Sequence, residues 1–443
     1  MKQVESLKTP AWWQKIELII APIGYWERAF QSHPEAFWVK GVDWGSPLMM
    51  FYTPKAAQQI IENREKHLEV ASFPSELRAV FGDNSVVSIE GDRHKILRKI
   101  LMPPLHGKQV RSYGKSICDV THQVIQQLPT NQPFSAWEVA QDITLQIIIE
   151  ILFGAAKKER YQQMKNLVAS LLNLFADKTA GFPLLRIFSK VLGKGNLGQK
   201  FIQTKQEIEQ LIYAEMADRR TVTELEKTDI LSLLMSFRDE QGQHLNDVEI
   251  LDNFLALSTV SEGAIAAICW SWYSLYRNPE IQEKLLKEIE NLGEFSDPIS
   301  LYRLPYLTAV CNETLRMYPV TMLILPRRVK TPTEIGGYEL QPGNIVSVSN
   351  YLLHRQENLY PEPNNFKPER FLERQFSVYE FLPFGGGSRS CLGADLSLYL
   401  MKLILATIVS SYRLKLADNQ FIKPQNRNTN LVPVGLRLVK QDS

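Results

Sequence analysis

The sequence predicts a mainly α-helical fold with small β-sheets, built as one domain over residues 1–443. Three observations predict it. Asn246–Arg277 carries the longest helical pattern in the chain. Residues 108–218 are mostly helical in periodicity as well. Strand-like runs are short and lie toward the two ends. Hydrophobic content of 44% and charge of 22% describe a globular protein with ample core. Net charge is +2, from 50 basic and 48 acidic residues, so charge offers no argument for nucleic acid or an acidic ligand.

Near the N-terminus, Phe37–Lys40 and Pro47–Tyr52 read as strands around a glycine turn, and Pro54 opens a helix. Gly181-Phe182-Pro183 and Gly193–Gly198 punctuate the helical middle. In the central pattern, Asn246 and Glu249 have capping-box spacing, and Asn278-Pro279 ends the run. As one helix it would span roughly 48 Å. Its middle is apolar on most sides, so it should cross the core. After Pro319, strand-like runs carry Arg327 and Ile345–Ser349. Tyr360–Pro363 reads as an extended meander, and Tyr412–Leu438 as strands again.

The apolar stretch Leu18–Trp26 is short and contains Pro22, whereas a membrane span needs about 20 apolar residues. The expectation is therefore no transmembrane anchor, with Trp12 and Trp13 in a packed N-terminal arm in preference to the alternative, contact with a membrane surface. Cys118, Cys269, Cys311 and Cys391 are widely separated and form no Cys-x-x-Cys pair. A reducing, cytoplasmic location is the simple inference.

Phe384-Gly385-Gly386-Gly387-Ser388-Arg389-Ser390-Cys391-Leu392-Gly393 concentrates the chemistry. It frames one cysteine with glycines and places Arg389 two positions before it. A thiolate needs nearby positive charge or a metal, and open space to reach a large partner. The apolar pattern from Leu396 to Ile408 puts Cys391 just before or at the start of a helix, whose dipole favours an anion. The bland alternative is a glycine-rich turn around a buried structural cysteine. The stretch, however, resembles the ligand loop of the cytochrome P450 family, Phe-x-x-Gly-x-Arg-x-Cys-x-Gly. That resemblance implies a cytochrome P450 fold with the long central helix over the heme, heme b (iron protoporphyrin IX) as cofactor, and Cys391 as its thiolate ligand. The helical middle would form a mobile lid over the substrate.

Further segments fit the same family in order. Glu313-Thr314-Leu315-Arg316 resembles its Glu-x-x-Arg element, and Pro368-Glu369-Arg370-Phe371 its Pro-Glu-Arg-Phe element. The resemblance implies a buried network of Glu313, Arg316 and Arg370. Physically, one carboxylate can satisfy two guanidiniums. In Gly91–Lys99, His94 and Arg98 lie four apart on one helix face and would bind heme propionates, with His94 where the family more often has Trp. Arg389 and Arg327 are the other propionate candidates, and Arg328 could replace Arg327. Met102–Gly107 and the cysteine loop look closest to cyanobacterial members.

The chain departs from the family in the central helix. The usual Ala-Gly-x-Asp/Glu-Thr-Thr is represented by Thr259-Val260-Ser261-Glu262-Gly263-Ala264. Glu262 keeps the acid, but Gly263 replaces the threonine that helps deliver protons for dioxygen cleavage. Thr259, one helical turn before Gly263, could hold a water in compensation. A substrate group or an ordered water beside Gly263 could do so too. By position in the family that the chain resembles, Phe81, Val320, Leu323 and Ile324 would line the substrate pocket, and their apolar character suits a hydrophobic or aromatic small molecule.

These features imply an O2-dependent heme-thiolate enzyme, most simply a monooxygenase hydroxylating a fatty acid, terpene or other specialised metabolite. Oxidative coupling of aromatic substrates without oxygen insertion is the alternative, and a non-catalytic heme sensor is a third. The chain has no flavin or nicotinamide fingerprint, so electrons would come from a ferredoxin and its reductase. Arg93, Lys95, Lys99 and Lys108 could dock such a donor to a monomeric enzyme.

Overall fold

Leu48–Phe51 is a continuous apolar run, and Ile345–Val348 is buried throughout with Ser347 as its one polar residue, as suits strands covered on both faces. They pair in parallel, Leu48 opposite Ile345, at the centre of a five-stranded sheet. The computed structural model describes residues 8–442 except 34, 41–45, 63–65, 73–74, 155–157, 175–195, 222–228, 294–296 and 428–429. The expected breaks at Gly181-Phe182-Pro183 and Gly193 lie outside the described residues, whereas Gly198 sits within the helix Asn196–Arg220.

Contacts gather the chain into two units. The first comprises residues 1–74, 308–391 and 423–432, and the second 75–307, 392–422 and 433–443. In the first, the sheet runs Ala36–Val39, Leu48–Phe51, Ile345–Val348, Arg327–Val329, Leu68–Val70. All pairs other than the parallel central one are antiparallel. Pro54 opens the helix Pro54–Glu62, as expected, and this helix packs on Ile345–Val348. Pro22 divides the N-terminal stretch into Ala11–Ile20 and Pro22–Ser32. Trp12 and Trp13 are 64% and 42% exposed, so the packed arm expected for them does not form.

The second unit is mainly helical. Glu262–Tyr276 packs against both Ala136–Phe153 and Ala394–Ser411. Pro133–Ser135, Arg437–Lys440 and Leu414–Leu416 form a small antiparallel sheet. Among the described residues, two helical stretches, 247–276 and 394–411, are long and apolar enough to cross a membrane. Their apolar windows are 83% and 67% buried inside the protein, which accounts for that apolarity as core packing.

The long central helix is the main departure from expectation. Its capping box forms: Glu249 N–H donates to Asn246 Oδ1 (2.9 Å), and Asn246 N–H to Glu249 Oε2 (3.0 Å). The run then divides into Asp247–Thr259 and Glu262–Tyr276, separated by Val260 and Ser261. The cause is a cluster of hydroxyls. Ser258 Oγ donates to Leu255 O (2.9 Å), and Thr259 Oγ1 to Leu255 O and Ala256 O (2.8 and 3.0 Å). Ser261 Oγ donates to Ser258 O (2.6 Å), the carbonyl that an unbroken helix would offer to Glu262 N–H. Such back-bonding competes with the ladder and bends helices. Apolar periodicity carried no sign of it.

Candidate active site

The cysteine loop belongs to the first unit up to Cys391. Gly385 and Gly387 have φ of 67° and 66°, a region that side-chain-bearing residues rarely adopt. A Cβ on Gly386 would lie 2.6 Å from Ile61 Cδ1, so this glycine permits a close approach. Gly393 has φ of −91° and needs no glycine for its backbone. Cys391 N–H donates to Phe384 O (2.8 Å), and Ser390 N–H to Gly387 O (3.0 Å). These bonds close the loop while Cys391 itself stays exposed and outside any disulfide. Ala394–Ser411 begins three residues later, as the apolar pattern required.

In the same unit, Glu313, Arg316 and Arg370 come together, with side chains 0%, 0% and 6% exposed. Arg316 grips the carboxylate with two bonds, Nε to Oε2 (2.6 Å) and Nη2 to Oε1 (2.8 Å). Arg370 Nε (3.1 Å) and Lys367 N–H (2.8 Å) also donate to Oε1. Both arginines are further held by carbonyls, Arg316 by His354 O (2.8 Å) and Arg370 by Pro361 O (3.0 Å). Arg316 also stands over the Tyr360 ring, 5.3 Å from its centroid. The network therefore ties the helix Pro305–Met317 to the turns around Tyr360, Asn365 and Arg370.

Sequence reading missed His354, which belongs to no motif. It is fully buried, and its Nε2 accepts from Leu382 N–H (2.9 Å). Its proton therefore sits on Nδ1. Burial first, and then Arg316 and Arg355, push its pKa well below the usual histidine value.

Among the candidate propionate partners, Arg327 is 2% exposed and donates to Leu325 O (2.7 Å), while Arg328 alternates to the half-buried face of its strand. Burial thus separates two arginines that sequence could not. Arg389 and Phe384 are half-buried. In the second unit, His94 is 2% exposed on the helix Gly91–Leu101, with Arg98 half-buried one turn later. Arg93 is not an open docking cation: its Nε donates to Glu249 Oε1 (2.8 Å). Lys95 pairs with Asp92 (3.0 Å), and Lys99 and Lys108 are exposed.

Glu262 is 4% exposed in the first turn of its helix, followed by Gly263. Because the helix breaks between Thr259 and Gly263, they do not share the continuous face that sequence spacing gave them. The Thr259 hydroxyl proton is committed to backbone carbonyls, so Thr259 can receive a water's hydrogen bond but not donate one there.

Asp252 and Asn253, also unforeseen, hold the segment after Phe81. Asp252 Oδ2 accepts from Asn84 N–H (2.9 Å) and Nδ2 (3.0 Å), and Asn253 Oδ1 accepts from Val86 N–H (2.8 Å). Gly82 allows this approach: its φ is 79°, and a Cβ there would fall 2.2 Å from Asp252 Cγ. Two adjacent polar residues inside the apolar run Leu251–Leu255 were the available signal. Phe81 ends the helix Ser75–Phe81 and is half-buried. Val320 and Leu323 are half-buried in the first unit. Ile324, 5% exposed, bonds through its N–H to Val348 O (3.0 Å) and belongs to that unit's core.

Residues 28–438 match the family described as Cytochrome P450, and the chain belongs to that family. It is similar to Putative cytochrome P450 137 of Mycobacterium tuberculosis, 30% identical over 80% of this chain and 72% of the relative. Putative cytochrome P450 135A1 of the same species is 27% identical over 93% of this chain and 89% of the relative. The fold matches that of retinoic acid bound cyanobacterial CYP120A1 with a TM-score of 0.84, at 20% identity, over 99% of this chain and 98% of the other. The protein is accordingly a heme-thiolate enzyme with the P450 fold and heme b as its cofactor.

The residues present fit that cofactor. Among the described residues, no group of three His, Cys, Asp or Glu side chains could hold a bare ion. A single exposed thiol suits a metal that brings its other ligands with it, as a porphyrin iron does.

Three outcomes are expected. Glu313→Ala leaves two buried guanidiniums without their carboxylate and should cost ~3–5 kcal/mol, read from the urea midpoint. With its folded pKa depressed, His354 contributes stability above roughly pH 6.5 that declines as pH falls, because only the unfolded chain takes up its proton there. His354→Gln keeps an acceptor for Leu382 and should flatten the stability–pH curve in that window. Asp252→Ala should speed amide exchange at Asn84 about tenfold, as for one lost bond to a carboxylate, with less change at Val86.

Proposed function

We propose that the enzyme inserts one oxygen atom from O2 into a hydrophobic small molecule. The family generally uses external redox partners, O2 and hydrophobic substrates. The finer reading is hydroxylation of a fatty acid, terpene or other specialised metabolite by a cytoplasmic monomer reduced by a ferredoxin system. Retinoic acid, seen bound to the cyanobacterial protein of like fold, is a hydrophobic acid of that broad kind.

Heme held by Cys391 would supply the activation of O2. His94, Arg98, Arg327 and Arg389 are assigned to its propionates, and burial of His94 and Arg327 supports a role in meeting charge away from water. Phe384 and Gly393 frame the ligand. The network of Glu313, Arg316 and Arg370 holds the preceding turns in place.

Glu262 carries the oxygen-insertion reading. It is a buried carboxyl at the end of a helix, where it can receive and release a proton beside a break in the backbone ladder. Thr259, through a water that donates to its oxygen, extends that path. Gly263 leaves room for a water or a substrate group. The same missing side chain favours the second reading, oxidative coupling of aromatic rings, which has less need of the threonine. Phe81, Val320 and Leu323 are the proposed apolar contacts to substrate. Ile324, a core residue, would support them from behind.

High-resolution mass spectrometry of products from a panel of fatty acids, terpenes, indoles and phenols tests this. A product gaining one oxygen atom supports hydroxylation. A dimer or ring-closed product lacking two hydrogens replaces it with coupling. Glu262→Gln should slow product formation about a hundredfold or more while leaving the heme spectrum intact, in the range of a lost acid–base group. An unchanged rate removes Glu262 from the proton path.

A further inference from the structure

We infer that His106 is a positioning residue for the Cys391 ligand, acting through the peptide that follows the cysteine. The inference rests on the assignment of Cys391 as the heme ligand. His106 Nε2 lies 2.8 Å from Leu392 O. A carbonyl only accepts, so the imidazole must carry its proton on Nε2 and donate. The bond spans 286 positions in sequence and ends on the residue directly after Cys391.

The Leu392 carbonyl needs a donor from elsewhere. The ladder of the helix Ala394–Ser411 begins with Ser397 N–H on the Gly393 carbonyl (2.8 Å), one residue too late to use it. Carbonyls left outside a ladder must be satisfied by another group. The arrangement at His106 is built for this. Pro103–Leu105 forms a single tight turn, and Gly107 takes φ of 61°, which directs the chain sharply out of His106.

A second bond lies alongside. Gly107 N–H donates to Asp395 Oδ2 (2.8 Å), and Tyr302 OH donates to Asp395 Oδ1 (3.3 Å). The pair His106-Gly107 thus clasps Leu392 and Asp395, the exit of the cysteine loop and the first turn of the next helix. On the entry side, Cys391 N–H is fixed to Phe384 O. The sulfur is therefore carried on a backbone pinned both before and after it, although Cys391 itself is exposed. With the exit bond gone, the peptide after Cys391 can rotate. The thiolate can then leave its ligating orientation.

The test uses the full heme-loaded protein. The reduced carbon monoxide complex has a red-shifted Soret band only while the ligand is thiolate, and its decay under mild urea is timed. His106→Phe should decay several-fold to about tenfold faster, the scale of one lost hydrogen bond. His106→Asn retains a donor and should recover part of the difference. His122→Phe, which removes a bond to Tyr412 elsewhere in the same unit, is the control for general loosening. Equal decay for wild type and His106→Phe overturns the inference. So does equal acceleration by His106→Phe and His122→Phe, and so does failure of the asparagine to recover anything. If His106→Phe does not fold, His106→Asn is compared with His106→Ser, and identical decay overturns it. Absence of the red-shifted band in the wild type would instead contradict the assignment of Cys391.

Discussion

A carboxylate sealed between two guanidiniums is the constraint on which the first unit depends. Glu313 is fully buried, and each oxygen is engaged by Arg316, with Arg370 and a backbone amide added on one of them. An arrangement of this kind tolerates little movement, because a displaced partner leaves a charge in a low dielectric. The two arginines spend their remaining donors on carbonyls of His354, Pro361 and Asn365. Turns that have no ladder of their own thereby acquire a fixed geometry. The neutral His354 extends the same logic to Leu382, two residues before Phe384.

The second unit solves a different problem. An apolar helix crossing a core presents no reactive backbone, because every amide and carbonyl is paired internally. Three hydroxyls at Ser258, Thr259 and Ser261 interrupt that pairing just before Glu262. The interruption places a carboxyl in the first turn of a new helix. It also separates Thr259 from Gly263. The polar residues one and two turns earlier act on other parts of the unit, since Glu249, Asp252 and Asn253 hold Arg93, Asn84 and Val86.

Much of this was legible in sequence because it rests on local rules. Capping at Asn246, the helix opened by Pro54 and the helix after Gly393 follow from residue type and spacing. The cysteine loop and the charged trio were legible through family resemblance. The helix break was not, since hydroxyl back-bonding leaves apolar periodicity untouched. His106, Asp252, Asn253 and His354 were also missed. Each acts on backbone groups far away in the chain, and no spacing rule reports such a bond. That Arg327 is buried and Arg328 only half-buried follows from strand alternation, which the sequence did not report. The exposure of Trp12 and Trp13 shows the opposite error, in which large apolar residues were assigned to packing that does not occur.

The assignment of Cys391 as the iron's thiolate ligand is the central claim. Resonance Raman spectroscopy of ferric protein made with heavy-sulfur cysteine tests it most directly. The account predicts an iron–sulfur stretch that moves to lower frequency with the heavier isotope and disappears in Cys391→His while heme remains bound. A stretch that persists in that variant, or a spectrum without isotope sensitivity, would contradict it.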